Sequence, residues 1–273
     1  MSILKKIIFY CCPAPIITFL VVVKRRVSVI FANLRYRCCT INKVNVDYFN
    51  IPIIINNFNR LEYLLKLINS LEIRGYTNIH ILDNHSTYPP LLEYYKLCPY
   101  NVYRLNKNVG YKAIWETGLY EIFKHNYYVY TDADMQIDEA CPNNFMEHFV
   151  KILKRYSSVQ KVGFGIRIND LPDEYLNKEK VLKWESRFWE NEVAPGIYRA
   201  SIDTTFALYR PYCKGVADIH HKVFRTGHPY IIRHLPWYNN MEDINEELYY
   251  LNSIQTSTHW SQISRDASKS DNR

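Results

Sequence analysis

Two aspartates one residue apart, Asp132 and Asp134, end an aromatic and β-branched run that starts at Asn126. Such a run predicts a buried strand with a polar tip. In an extended chain residues i and i+2 point to the same side, about 7 Å apart, so the two carboxylates share one face and Ala133 points away. Two carboxylates placed this way can hold one hard divalent cation. The alternative interpretation is a strand that runs into an acidic turn without a metal.

The acid pair is the last of four polar segments that each follow a strand-like run. The predicted strands are 51–56, 78–82, 102–105 and 126–135, and the predicted helices between them are 61–72, 91–97 and 112–124. This alternation predicts an α/β fold, a mostly parallel sheet with helices on both faces. The polar segments 57–60, 83–86, 106–110 and 132–134 then lie at one edge, where such sheets bind ligands.

The residue types at that edge suit a nucleotide. Asp83 can accept a hydrogen bond from a nucleobase N–H or a ribose hydroxyl, and the acid pair can hold a metal against a diphosphate. Gly110 allows the backbone to approach a ligand closely beside a helix start, where free N–H groups favour anions.

Four blocks carry a family resemblance. They are Ile-Pro-Ile-Ile-Ile-Asn-Asn-Phe-Asn-Arg (51–60), Ile-Leu-Asp-Asn-His-Ser-Thr (81–87), Asn-Val-Gly-Tyr (108–111) and Thr-Asp-Ala-Asp (131–134). In order and spacing they resemble the nucleotide-sugar half of family-2-like glycosyltransferases of the GT-A fold, over about residues 50–137. The chain departs from the family pattern at Asn56-Asn57, where Pro-Thr is common, and at Asn84-His85, where Asp-Gly is usual.

The resemblance implies a UDP- or GDP-linked sugar as donor, with Mn²⁺ or Mg²⁺ as cofactor. Asp83 would contact the base, Asp132 the ribose and the metal, and Asp134 the metal and the diphosphate. The other residues expected at the nucleotide are Asn57, Arg60, Asn108 and Gly110. The fold often uses a late histidine as a third metal ligand, and the candidates are His234, which we favour, and His259. The alternative for either is a histidine that is hydrogen-bonded in a surface loop.

Residues 138–262 are expected to supply the acceptor site and the catalytic base, in the same domain as the nucleotide-sugar-binding half 48–137. Asp203 interrupts an apolar run, 198–209, that predicts a strand. A buried acid needs either hydrogen bonds or a role in proton transfer. Inverting enzymes of this fold usually carry a carboxylate base after their acid pair, which implies Asp203. Glu246 and Glu247 are the rival bases, although they also suit a solvated helix face.

Aromatic residues of the second half suit a sugar pocket, because aromatic faces pack on the C–H surfaces of sugars. The predicted acceptor or sugar pocket consists of Trp184, Glu185, Trp237 and Tyr238. Core packing is the alternative explanation for some of these aromatic side chains.

The positive charge of the chain lies in its first 47 residues, which contain bases but no acid before Asp47. The apolar run Ile7 to Val23 is flanked by basic residues, and Pro13 and Pro15 interrupt it. A membrane-surface or re-entrant anchor through residues 1–43 is therefore favoured over a straight span. A buried helix or strand pair is the alternative.

The charge distribution and the cysteines also bear on location. Because the globular part is close to neutral, we expect no nucleic-acid partner. Seven scattered cysteines without a Cys-x-x-Cys motif indicate reduced thiols and no structural zinc. These features predict a protein on the cytoplasmic face of a membrane, with a disordered tail at 263–273.

The sequence thus predicts a metal-dependent glycosyltransferase that transfers a sugar to a glycan or lipid-linked acceptor, in surface polysaccharide synthesis. One alternative is a sugar nucleotidyltransferase, but that class normally has a Gly-rich basic loop after its first strand, and residues 56–60 contain no glycine. The other alternative is a non-catalytic glycan- or nucleotide-binding module.

Overall fold

The computed structural model describes residues 46–215, 222–238 and 244–254. The predicted membrane segment 1–43, the alternative metal ligand His259 and the predicted tail 263–273 lie outside these ranges. Within them, every helix is too short or too polar to cross a bilayer.

Ten strands and seven α-helices make up the described part of the chain. The strands are β1 Ile53–Asn57, β2 Ile79–Asp83, β3 Asn101–Arg104, β4 Tyr128–Asp132, β5 Met135–Ile137, β6 Lys161–Ile166, β7 Glu192–Ala194, β8 Ile197–Arg199, β9 Ala207–Tyr209 and β10 Val223–His234. The helices are α1 Glu62–Glu72, α2 Pro89–Leu97, α3 Ala113–Glu116, α4 Tyr120–Phe123, α5 Phe145–Arg155, α6 Lys178–Glu185 and α7 Ile244–Ser253. Short 3₁₀ turns cover Gly110–Lys112, Ser186–Trp189 and Leu235–Trp237.

The strands form one mixed sheet in the order β3-β2-β1-β4-β9-β6-β10-β8-β7, and β5 pairs with β10. The first four are parallel, as predicted. Strand β9 is antiparallel to both β4 and β6, whereas β10 is parallel to β6. In the central register Asn57 lies opposite Asp83, and Asn56 lies opposite Asp132. The polar ends of β1, β2 and β4 are therefore level at one edge of the sheet.

Apolar side chains cover both faces of the sheet, because successive residues of a buried strand point to opposite sides. In β1, Ile53 and Ile55 belong to a core cluster that includes residues of α1 and α5. Ile54 belongs to the cluster on the other face, which includes Ile114 and Phe123. The predicted α/β architecture with helices on both faces is confirmed.

Two predicted elements differ from the structure. The helix predicted over 112–124 is divided into a 3₁₀ turn, α3 and α4, because Gly118 has a φ of +83°, in the left-handed region that ends a helix. The single strand predicted over 198–209 is two short strands, β8 and β9. Strand β8 pairs with β10, whereas β9 lies between β4 and β6. The chain therefore cannot continue as one strand from β8 to β9 and crosses between two places in the sheet.

Buried Arg74 fixes the chain just after β5. Its guanidinium donates hydrogen bonds to the carbonyls of Ser70 at 2.8 Å, Asp138 at 2.7 Å and Cys141 at 3.4 Å. Arg74 therefore joins the end of α1 to the segment that follows the acid pair.

Replacing Arg74 with methionine should lower the free energy of unfolding by about 2–4 kcal/mol, because buried carbonyls lose their donors. Urea denaturation followed by circular dichroism measures the change. The matched control is Lys154→Met, a change of an exposed side chain of α5, which should stay within about 0.5 kcal/mol of the wild type. Equal stability of the two variants would show that Arg74 is dispensable.

Candidate active site

The acid pair lies where the chain passes from β4 to β5. Asp132 is the last residue of β4, and the chain bends through Ala133 and Asp134 before β5 begins. Ala133 is buried in the core, whereas both aspartates are partly exposed. Burial therefore alternates through Asp132, Ala133 and Asp134, as predicted.

Two neighbouring side chains hold the carboxylate of Asp132. Asn56 Nδ2 donates to Oδ1 at 3.2 Å, and the Thr204 hydroxyl donates to Oδ2. The backbone N–H of Asp132 also donates to the Thr204 carbonyl at 2.9 Å. Asp132 is thus bound from β1 on one side and from the β8–β9 connection on the other.

Strand pairing places His234 beside Asp134. In the antiparallel pair of β5 and β10, Met135 lies opposite His234. The N–H of Leu235 donates to the Asp134 carbonyl at 2.8 Å, and His234 Nε2 lies 3.4 Å from Asp134 Oδ2. Within the described residues His234 Nδ1 is buried and has no hydrogen-bond partner. The histidine favoured from the sequence is therefore next to the acid pair.

The two carboxylates differ in their electrostatics. Burial and the adjacent charge of Asp134 raise the pKa of Asp132, although hydrogen bonds from Thr204 and Asn56 partly oppose this. Burial also tends to raise the pKa of Asp134, but the charge and hydrogen bond of His234 outweigh it and lower that pKa. A second negative charge at this site is thus costly, and a bound cation would relieve that cost.

The donor types fit a divalent cation. Carboxylate oxygens and an imidazole nitrogen suit Mn²⁺, and carboxylate oxygens suit Mg²⁺. In the described ranges, however, no three His, Cys, Asp or Glu side chains are grouped closely enough to form a metal site. The residues that would hold the ion are Asp134 and His234, which already face each other, together with Asp132.

The ends of β1 and β2 are joined through Tyr95. Asn57 Nδ2 donates to the Tyr95 hydroxyl at 2.9 Å, and that hydroxyl donates to Asp83 Oδ1 at 3.3 Å. Fully buried Asp83 also accepts from Arg104 Nε at 3.2 Å and from the N–H of Ser86. The structure thus places Asn57 and Asp83 together, with Asp83 held rigidly at the strand end.

Asn84 joins the end of β2 to the loop after β3. Its Oδ1 accepts from the N–H of Val109 at 2.8 Å, and its Nδ2 donates to the Gly110 carbonyl at 2.9 Å. Asn108 Oδ1 accepts from the N–H of Gly110, whose φ is +76°. His85, which follows Asn84 in the chain, has a φ of 68°, in the left-handed region that glycine adopts most easily. This explains why glycine suits the position in the family pattern.

Helix α7 packs against the loop between β1 and α1. Arg60 forms an ion pair with Glu247, and its guanidinium centre lies 3.6 Å from the ring centroid of Tyr250 and 4.8 Å from that of Tyr63. Glu246 is buried and accepts hydrogen bonds from the N–H groups at the start of α1. Both rival bases therefore contact the β1–α1 loop.

The expectation that Asp203 is a buried strand residue is wrong. Asp203 is exposed and lies in the irregular connection between β8 and β9, because the chain there moves between two positions in the sheet. Buried Lys161 of β6 donates a hydrogen bond to the Ile202 carbonyl at 2.7 Å, which holds this connection against the sheet. Since Thr204 bonds to Asp132, Asp203 is adjacent to the acid pair.

The four residues predicted to line one sugar pocket have separate sets of contacts in the structure. Trp184 is 44% exposed, with the Arg187 guanidinium 3.5 Å above its ring. Glu185 is not at a pocket surface but buried, in an ion pair with Arg225 at 2.8 Å.

Trp237 lies beside His234, whereas Tyr238 contacts a separate group of charged side chains. The buried Trp237 ring packs 4.7 Å from that of His234, centroid to centroid. The Tyr238 hydroxyl donates to Asp170 Oδ1 at 2.7 Å.

Several residues at this edge are absent from the predicted set. They are Asn56, Tyr63, Asn84, Tyr95, Arg104, Thr204 and Tyr250. Asn56 and Asn84 lie inside the quoted blocks, where their polar strand-end positions are a usable signal. Thr204 and Tyr250 reach the site through long-range packing, which leaves no local pattern in the sequence.

The chain is similar to several solved structures at low sequence identity. The structure of GalNAc-T7 with UDP, GalNAc and Mn²⁺ aligns with a TM-score of 0.46 and 14% identity, over 68% of this chain and 43% of its own. S. aureus TarS 1–349 aligns with a TM-score of 0.42 and 12% identity, over 78% and 68%. Mycobacterium tuberculosis glucosyl-3-phosphoglycerate synthase, with phosphoglyceric acid, aligns with a TM-score of 0.37 and 13% identity, over 59% and 57%.

All three are GT-A glycosyltransferases, the class that the four sequence blocks resemble. This chain spans less than half of the GalNAc-T7 structure. No protein-family model and no curated protein sequence matches the chain significantly.

We expect the wild-type protein to bind Mn²⁺. The Asp134→Asn variant should bind it at least ~10-fold more weakly, because a charged oxygen ligand becomes neutral. Electron paramagnetic resonance of free Mn²⁺ measures this binding without turnover. The control Asp173→Asn removes an exposed carboxylate that pairs with Lys178 and should not change the affinity. Equal Mn²⁺ affinity in all three proteins would exclude a metal role for Asp134.

Proposed function

We propose that this protein is a metal-dependent glycosyltransferase that moves a sugar from a nucleotide diphosphate donor to a glycan or lipid-linked acceptor. The observation that carries the proposal is that the polar ends of β1, β2 and β4 lie at the same edge of the sheet. There the acid pair Asp132 and Asp134, with His234 beside it, lies next to the ends of β1 and β2. A nucleotide sugar needs a base contact and a diphosphate contact at adjacent strand ends, and this edge offers both.

Unsatisfied buried atoms support a polar ligand at this edge. Within the described residues, the atoms Asn56 Oδ1, Asn57 Oδ1, Tyr63 Oη, Thr205 Oγ1 and His234 Nδ1 are buried and have no hydrogen-bond partner. Buried polar groups are normally paired, and each unpaired one costs about 1–3 kcal/mol. Their location on segments that border the acid pair favours a bound polar molecule over a purely structural strand end.

The proposed roles follow from the contacts of each residue. Asp83, held by Tyr95 and Arg104, is fully buried in this structure and would accept a hydrogen bond from the nucleoside once a movement of these side chains exposes it. Asp132 and Asp134, with His234, would hold Mn²⁺ or Mg²⁺, which when bound neutralises the charge that develops on the leaving diphosphate.

Asp203 is the proposed general base. It is exposed, so an acceptor hydroxyl can reach it, and Thr204 ties its backbone to Asp132. A carboxylate in this position could remove the hydroxyl proton as the sugar transfers, if the reaction inverts the anomeric centre.

We also propose that residues 1–43 bind a membrane surface and that the protein acts on its cytoplasmic face, in surface polysaccharide synthesis. The apolar run Ile7 to Val23 and its basic flanks support this location. A lipid-linked acceptor would then be within reach of the enzyme.

Incubation with a panel of nucleotide sugars and Mn²⁺ should release free nucleoside diphosphate from one of them. Asp203→Asn should lower kcat by about 10²–10⁴-fold, the usual contribution of a general base. Its affinity for the nucleoside diphosphate, measured by calorimetry, should stay within about twofold, because the base does not contact the donor nucleotide.

The exposed Asp173→Asn variant is the control and should turn over like the wild type. Retained turnover in Asp203→Asn would assign the base elsewhere, with Glu246 and Glu247 the next to test. Nucleotide binding without turnover in the wild type, across a panel of acceptors, would indicate a binding module.

A further inference from the structure

Two acidic residues of α7 occupy the start of α1. Glu246 Oε2 accepts hydrogen bonds from the backbone N–H groups of Leu61 at 2.8 Å and Glu62 at 3.0 Å. The neighbouring carboxylate, that of Glu247, pairs with the guanidinium of Arg60. The two carboxylates thus neutralise both positive features of the β1–α1 loop.

Without α7, these groups would form an anion site. The first N–H groups of a helix have no partner within the helix, and its dipole favours negative charge there. An adjacent guanidinium adds charged hydrogen bonds of the kind that phosphate groups accept. The loop also lies at the carboxyl end of β1, the strand that pairs with β4 and so with the acid pair.

A buried hydroxyl at the same place has no partner. Tyr63 is 4% exposed, and within the described residues its Oη makes no hydrogen bond. The Tyr63 ring centroid lies 4.8 Å from the guanidinium centre of Arg60. Burial raises the pKa of Tyr63, so the hydroxyl stays protonated and can donate to an anion. A phosphate oxygen would use this donor, which neither Glu246 nor Glu247 does.

The contacts of α7 with the rest of the fold are hydrogen bonds, an ion pair and ring contacts, the last between Tyr249 and Tyr88 and between Tyr250 and Phe58. Asn59 Nδ2 donates to Ser253 Oγ at 2.9 Å, and the Tyr249 hydroxyl donates to the Thr87 carbonyl at 3.0 Å. No residue of α7 belongs to either buried apolar cluster of the described residues. An element that is held mainly by such contacts separates at a lower free-energy cost than the core helices.

We propose that Arg60, the N–H groups of Leu61 and Glu62, and the Tyr63 hydroxyl form a phosphate subsite of the donor site, which α7 occupies with its carboxylates when no donor is bound. The inference rests on the proposed function, because the phosphate is that of a nucleotide sugar. Phosphate binding and docking of α7 then exclude each other. Removing the charge of Glu247 frees Arg60 and favours the phosphate.

Isothermal titration of the full chain with inorganic pyrophosphate tests the subsite. Glu247→Gln should bind pyrophosphate at least ~5-fold more tightly than the wild type, because the competing docked state becomes less populated. Adding Arg60→Gln to this variant should abolish the gain. Glu121→Gln, which breaks an exposed ion pair with Lys124, is the control and should match the wild type. Equal or weaker binding by Glu247→Gln would overturn the proposal.

Hydrogen exchange of the wild-type chain provides a test that needs no variant. Saturating pyrophosphate should increase amide exchange across residues 245–253 by at least about threefold, since α7 is displaced from its site. Unchanged or slower exchange would overturn the proposal.

Titration with UDP and GDP separates this inference from the proposed function. A tighter pyrophosphate complex in Glu247→Gln, with neither nucleotide binding better than pyrophosphate, would retain the subsite and refute the nucleotide donor. Tight nucleotide binding that is insensitive to Glu247→Gln would retain the donor and refute the subsite.

Discussion

The pairing of β5 with the end of β10 is the interaction on which the site depends. Strand β10 pairs with β6 from Val223 to Ile232, with a register shift between Thr226 and Ile231. Along its other edge it pairs first with β8 and then, at its last three residues, with β5. Three residues of β5 are enough to place His234 beside Asp134, although the two are far apart in sequence. Without this ladder the acid pair would be a polar strand end with no third partner.

Several carboxylates lie at this edge, and each is stabilised differently. Asp83 and Glu246 are buried and accept hydrogen bonds from several donors, although burial still raises the pKa of Glu246. Asp132 has the donors Asn56 and Thr204, yet burial and Asp134 still raise its pKa. Within the acid pair His234 lowers the pKa of Asp134, so the poorly compensated charge is that of Asp132, and a cation bound there would stabilise it.

The parallel core and its polar edge could be predicted because their signals are local. Buried strands, helical periodicity and strand-end polar residues all lie within short windows, and the register of β1 with β2 and β4 brings those ends together. The β8–β9 connection could not be predicted, since an apolar run with one acid has the same pattern whether the strand is continuous or broken. Whether Asp203 is buried depends on which strands β8 and β9 join, and no residue near Asp203 encodes that.

The same contacts rank the carboxylates as bases. A general base needs a free lone pair and access for an acceptor hydroxyl. Glu246 directs one oxygen at two backbone N–H groups and is buried, while Glu247 is bound to Arg60, so neither meets both conditions while α7 is docked. Asp203 is exposed and its neighbour Thr204 is bonded to Asp132. Asp203 is therefore the most accessible of the three carboxylates, which supports the proposal that it is the base although it is not buried.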